Sequence, residues 1–342
     1  MDLSALKIAI QDFFQEDTVT IIGSGLSAAE GIPGMNRLAQ DLIDKIPAYI
    51  TQPADKLIWS KIQAELASGI GLEQALHNHK PSSFIEEKIR KVTANFIGNA
   101  EDSIFNDIIQ GRHILRFTKY LECFNIRNNG LTVITTNYDR LIEYACEHAC
   151  IRVDTLFIGK YLAYFKPEES KYMCCNGISK HQNKQKPSFA PKVTVLKPHG
   201  CLSWHLIDDI PYSIPNFSYD DCLIITPGIN KYKEGYSDPF DTHRNTANAA
   251  IDQTQRYIII GYGFGDDHLE THLVRQLKKN KPALLLTHTL SMNAARIVKE
   301  CRNVTAICSE NITDSRVITA KEDQLFPGIK LWDLEVMLKE VF

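Results

Sequence analysis

The sequence predicts an α/β fold built on a doubly wound parallel sheet, and three observations carry that expectation. Apolar, β-branched runs alternate with stretches of helical periodicity over most of the 342 residues, the pattern of a parallel sheet covered by helices. The first apolar run ends in a glycine-rich turn that opens a helix. Between the first and second runs lies a long segment, residues 55–125, with helical patterns and no strand, which marks a helical insertion.

Taken in order, Leu3, Leu6, Ile10, Phe13 and Phe14 recur near helical spacing, so residues 3–16 are expected to form an amphipathic helix. Thr18 to Ile22 reads as a buried strand, and a helical stretch through about Ile46 follows its glycine-rich turn. Pro53, Gly69-Ile70-Gly71, Pro81 and Gly111 punctuate the helices of the insertion. Further strands are expected at residues 131–136, 151–157, 193–197, 223–226, 257–261, 283–287 and 304–308, with helices at about 138–150, 241–255, 266–279, 291–300 and 329–341. The resulting division is a core of residues 1–50 and 126–342 around an insertion at 51–125, within one domain spanning 1–342. Residues 158–192 stand apart, with seven lysines, three prolines and little periodicity. They read as a solvated surface excursion, with a docking patch for an acidic partner or nucleic acid as the sharper alternative.

Composition narrows the function classes. Apolar residues make up 44% and charged residues 23%, ordinary values for a globular chain that exclude a wholly disordered or fibrous one. The formal net charge of −3 is not that of a dedicated nucleic-acid binder, so direct nucleic-acid binding is not expected. No window reaches the roughly 18 apolar residues of a membrane span, and the start Met1-Asp2-Leu3-Ser4-Ala5-Leu6-Lys7 lacks the marks of a signal peptide. A cytoplasmic protein without membrane contact is expected. Its nine cysteines then read as reduced thiols, an odd count being unsuited to a closed disulfide framework.

Four strand ends carry residues suited to chemistry. Gly23-Ser24-Gly25-Leu26-Ser27-Ala28 matches the dinucleotide fingerprint between a strand and a helix. The first glycine permits a tight turn, the second lets a pyrophosphate approach, and phosphate would lie over free amides. A tight turn without ligand is the alternative. The acidic ribose-binding residue that a dehydrogenase needs about 20 residues on is missing, because Asp41 and Asp44 sit in a helical pattern. At the second strand end, Thr135-Thr136-Asn137-Tyr138-Asp139, Asn137 and Asp139 are placed either for chemistry or to cap the following helix. Lys197-Pro198-His199-Gly200 ends another strand, where His199 is either a general base or a structural turn residue. Gly261-Tyr262-Gly263-Phe264-Gly265-Asp266 forms a further close-approach turn. Asp266 or Asp267 would cap its helix there, and Phe264 could simply pack inward.

In this order, G-x-G-x-S…G-I-P, T-T-N-x-D, H-G and G-Y-G-F-G-D resemble the sirtuin superfamily, and more narrowly the sirtuin-like NAD-cleaving subunits of bacterial antiviral defence systems, over roughly residues 15–310. The resemblance implies a Rossmann-like sheet with NAD across its carboxyl edge. By position, Gly23, Ser24, Gly25 and Ser27 would cradle the pyrophosphate and nearby ribose, with Thr136 beside them. Asn137 would hold the nicotinamide ribose or the attacking water, and Asp139 the nicotinamide amide. His199 would be the general base. Gly261, Tyr262, Gly263 and Phe264 would line the adenosine side, and Pro33 lies in the loop expected to close over the nicotinamide end. Two features depart from protein-deacylating sirtuins. Gly34-Met35-Asn36-Arg37 replaces their Asp-Phe-Arg, and no paired C-x-x-C spacing for a zinc ribbon exists. Cys146 and Cys150 read instead as one helical face packing inward.

The resemblance therefore implies an NAD glycohydrolase that needs NAD as substrate and no zinc, part of an antiphage system. Its gating partner would be a HerA-type ATPase, an Argonaute-like protein or a nucleotide-processing protein, and an oligomer is expected. A protein deacylase or ADP-ribosyltransferase, and a non-catalytic nucleotide-binding subunit, are the competing functions.

Overall fold

The computed structural model describes residues 2–126, 130–181, 184–226 and 237–342. Nine strands form one sheet. From one edge its order is Asp323–Phe326, Ser315–Ile318, Val304–Ser309, Ala283–Leu286, Arg256–Ile260, Thr18–Ile22, Leu131–Thr135, Lys192–Leu196 and Arg152–Asp154. The seven strands from Val304–Ser309 onward are parallel. The last two of the chain, absent from the sequence expectation, add antiparallel at the far edge.

Alternation along the central strands explains why helices cover both faces. Ile22, Val133, Val195, Ile258, Ile260 and Leu284 point into one core, which also holds Leu6, Phe117, Leu141 and Leu338 from four helices. Val19, Ile21, Ile134, Leu196, Tyr257 and Ile259 point into the other, with Ile251, Leu273 and Ile297 from the helices Phe240–Gln253, Asp267–Lys278 and Met292–Glu300. Strands buried on both sides need no polar face, so each reads as an unbroken apolar run.

The segment between the first two strands is helical throughout: Pro53–Ala67, Leu72–Asn78, Ser83–Ile109 and Arg116–Glu122. It has its own apolar cluster, including Trp59, Ile62, Leu76 and Ile89, which Leu38 and Leu42 of the preceding helix and Ile46 just after it join. Its longest helix is fastened to the sheet. Glu101, fully buried, accepts from the Arg140 backbone N–H at 2.8 Å and from Arg140 Nε at 2.9 Å.

Several expected elements differ. The first helix spans only Leu3–Gln11. The helical stretch after the glycine turn is two helices, Ser24–Glu30 and Met35–Lys45, because Gly31 turns left-handed (φ 113°) and ends the first. Residues 223–226 form no strand; a single bridge joins Ile224 to Gly200. Residues 151–157 divide into Arg152–Asp154 and a separate strand Phe157–Ile158, which joins Ala163–Phe165, Ile210–Ser213 and Trp204–Ile207 in a small second sheet. The lysine-rich excursion is structured where described: Cys175–His181 and Lys184–Phe189 pair as an antiparallel ribbon, and residues 182 and 183 lie outside the described residues. Cys146 is buried, but Cys150 follows the helix end in a left-handed conformation (φ 56°) and is exposed, so the two do not share a packed face. Among the described residues no helix is long and apolar enough to cross a membrane.

Candidate active site

Four neighbouring parallel strands bring the predicted residues to one sheet edge. Residues 261–266 leave Arg256–Ile260, residues 23–27 leave Thr18–Ile22, Thr136 to Asp139 leave Leu131–Thr135, and His199 leaves Lys192–Leu196. The chain runs from the first strand to one side of the sheet and later crosses to the other. That reversal opens a crevice at the carboxyl ends. A cavity of about 380 Å³ lies there, lined by Gly23, Ser24, Gly25, Ser27, Pro33, Thr136, Asn137, Asp139, His199, Tyr262 and Gly263. A second cavity, of about 490 Å³, lies around Arg140, Glu143, Arg152 and Lys197 and contains none of these residues.

The glycines act differently from the expectation. The Gly23 N–H donates to Ile260 O at 2.9 Å and the Gly25 N–H to Gly261 O at 3.0 Å, so neither amide is free for a phosphate. A Cβ on Gly23 would stand 2.5 Å from Gly261 O, and one on Gly25 would stand 2.7 Å from Gly261 Cα. The two glycine-rich turns cross in backbone contact, and that close approach is what excludes a side chain. Gly261 accordingly braces the first turn and does not line the cavity. Phe264 is a second correction. Its ring is fully buried in the core with Leu269 and Leu273, which leaves Tyr262 and Gly263 on the cavity wall.

Asn137 is held tightly. Its Nδ2 donates to Gly23 O at 3.0 Å and to Ser27 Oγ at 2.7 Å, and the carbonyl acceptor settles which way the amide faces. With both amide hydrogens committed, the Oδ1 carbonyl is the part of the side chain that can serve a ligand, as an acceptor. Ser27 Oγ passes its own hydrogen to Asp139 Oδ2 at 2.7 Å. The other Asp139 oxygen accepts from the Leu141 N–H at 3.3 Å just ahead of the helix Leu141–His148, so Asp139 is anchored there while it braces the Asn137 network.

His199 Nε2 lies in direct contact with Asp266 Oδ2. Asp266 also caps the helix Asp267–Lys278, accepting from the Leu269 N–H at 3.1 Å. The sequence offered Asp266 only as a cap; its contact with His199 had no local signal. The helical insertion adds Glu73, Phe96 and Ile97 to the wall, and the break between the two early helices adds Ile32, Gly34 and Met35. None of these was expected except through the neighbouring Pro33. Among the described residues the titratable lining is Glu73, Asp139, Asp266, His199 and the two tyrosines, with no lysine or arginine. Such a cavity favours a cationic group. Burial raises the phenol of Tyr138 well above its usual range, so it is a neutral hydroxyl, and it donates to Ile225 O at 2.6 Å.

No group of three or more His, Cys, Asp or Glu among the described residues is arranged to hold a metal ion. None of the curated proteins compared matches the chain. Solved structures align over most of it at low identity. A Sir2 homologue in complex with NAD shares 13% identity over 90% of this chain and 88% of that one, with a TM-score of 0.40. A structure concerned with the mechanism and regulation of Sir2 enzymes shares 11% over 98% and 96%, with a TM-score of 0.41. A third, concerned with sirtuin substrate affinity, shares 15% over 88% and 99%, with a TM-score of 0.38. The family described as the SIR2-like domain matches residues 131–307. That match takes in the Asn137, His199 and Gly261–Asp266 strand ends and more than half of the sequence, and the chain belongs to the SIR2-like domain family.

Proposed function

We propose that this protein hydrolyses NAD at the nicotinamide–ribose bond, releasing nicotinamide and ADP-ribose. The observation that carries the reading is the meeting of Asn137 and His199 in one carboxylate-lined cavity on a SIR2-like domain.

Nicotinamide leaves an anomeric carbon as a neutral molecule from a cationic ring, so departure needs no general acid. The transition state is oxocarbenium-like, and the carboxylates of Glu73, Asp139 and Asp266 supply a favourable electrostatic setting for positive charge. Asn137 Oδ1 accepts from a ribose hydroxyl or from the attacking water, orienting it without adding charge. His199 takes the proton that the water loses as its oxygen bonds to the anomeric carbon. The electron pair of the broken C–N bond stays with nicotinamide, and His199 returns its proton to solvent.

Incubation with NAD, followed by chromatography for nicotinamide and ADP-ribose, tests the reaction. Activity should fall by about 10²-fold or more in His199→Ala and in Asn137→Ala, with both variants folded. Full activity in both would refute the assignment. Transfer of ADP-ribose to a peptide, or release of an acylated ADP-ribose in the presence of an acylated peptide, would favour the transferase or deacylase reading.

The biological setting is proposed on the resemblance alone: a cytoplasmic effector of an antiphage system, working as an oligomer. It would be switched on by a HerA-type ATPase, an Argonaute-like protein or a nucleotide-processing protein. A complex that co-purifies and raises specific activity supports this; a fully active dilute monomer opposes it.

A further inference from the structure

We propose that Asp266 is a positioning residue for His199, holding the Nε2 proton of the imidazole so that Nδ1 is the nitrogen that accepts the proton from water. The proposal rests on the NAD-cleaving reading for its catalytic consequence, and on geometry alone for the pairing.

The geometry has three parts. His199 Nε2 and Asp266 Oδ2 are in direct contact. Asp266 is 8% exposed, and its second carboxylate oxygen is tied to the Leu269 N–H at 3.1 Å. The Asp266 backbone N–H donates to Glu270 Oε1 at 2.8 Å. The carboxylate is therefore held at one oxygen by the start of a helix and at the other by His199, and the Asp266 backbone is itself pinned by the Glu270 side chain. A neutral imidazole carries one N–H, and a carboxylate accepts and does not donate. The nitrogen facing Asp266 must then bear the hydrogen, which leaves Nδ1 with its lone pair.

Asp139 does not substitute for Asp266, because its oxygens are on Ser27 Oγ and the Leu141 N–H. The arrangement follows the general logic of a base oriented by a third group, here between two strand ends far apart in sequence.

Asp266→Asn is the informative variant, because asparagine caps a helix as well as aspartate does while lacking the carboxylate. The full-length protein labelled with ¹⁵N-histidine would be examined by NMR in wild type and variant, with His199→Gln identifying the signals. NAD turnover would be measured on the same samples. The expected result is an Nε2–H tautomer for His199 that is lost or mixed in Asp266→Asn. kcat should fall about 10²-fold or more, with KM within about threefold. A wild-type ring in the Nδ1–H tautomer, or a variant with unchanged tautomer and kcat, would overturn the proposal. An Nε2–H tautomer lost in the variant, in a protein that cleaves no NAD, would support the pairing and overturn the reaction reading instead.

Discussion

His243 lies directly behind the His199 strand end, and its titration sets a measurable pH dependence. The ring is fully buried, 4.6 Å from Trp204 between centroids, and its Nδ1 accepts from the Lys197 N–H at 3.1 Å. Burial, reinforced by the Lys197 cation, lowers its pKa from 6.5 to about 3. In the unfolded chain the imidazole titrates at its ordinary value, about 6.5. Below that pH the unfolded state binds a proton that the folded state refuses until about pH 3. Stability from this residue is therefore intact above 6.5 and lost as pH falls, at about 1.4 kcal/mol per pH unit. Between pH 7.5 and 5.5 the loss is about 1.4 kcal/mol. His243→Asn keeps an acceptor for the Lys197 N–H and does not titrate. Urea unfolding of both proteins at pH 7.5, 6.5 and 5.5 isolates the effect, since every other titrating group is shared and cancels in the difference of slopes. The variant is less stable throughout, for lost ring packing, but should lose about 1.4 kcal/mol less across the range. Parallel pH profiles would refute the reasoning.

Three further outcomes follow from particular contacts. Glu101→Ala strands Arg140 as a buried unpaired charge and should cost about 3–5 kcal/mol in urea unfolding at pH 7; a loss under about 1 kcal/mol would show that the pair is not what fastens the insertion. Gly23→Ala drives a methyl into Gly261 O and Tyr262 Cα and should lower stability by about 1–3 kcal/mol, together with NAD cleavage; an unchanged melting temperature would mean that the two turns tolerate separation. In the native protein a thiol reagent should react fastest at Cys150, the exposed cysteine, and slowly at Cys146 and Cys222, whose thiols burial pushes up, to about 12 for Cys222. Retention of the fast phase in Cys150→Ser would refute the assignment.

The central strands and the helices between them were legible because their signals are local. A parallel strand buried on both faces reads as an unbroken run such as Thr18–Ile22, and no distant residue has to be known to recognise it. The same holds for the polar residues at strand ends: once the strands are parallel, Asn137 and His199 must share an edge. The antiparallel pieces were missed for the opposite reason. Leu206, Ile207 and Ile210 are exposed, so the small hairpin shows no apolar-polar alternation, and the lysine-rich ribbon is held by cross-strand backbone pairing, with polar pairs such as Ser179 with Lys186 along half its length.

What tertiary structure alone decided is which groups meet. Asp266 finds His199 because two strands on opposite sides of Thr18–Ile22 end at the same level. Glu73 and Phe96 reach the cavity because Glu101 clamps their subdomain to Arg140. The glycine pattern is the sharpest case. Its residues match a phosphate-binding turn, yet Gly23 and Gly25 spend their amides on Ile260 and Gly261. Residue type specifies what a backbone can approach, whereas the arrival of a second turn from the neighbouring strand determines what it does approach.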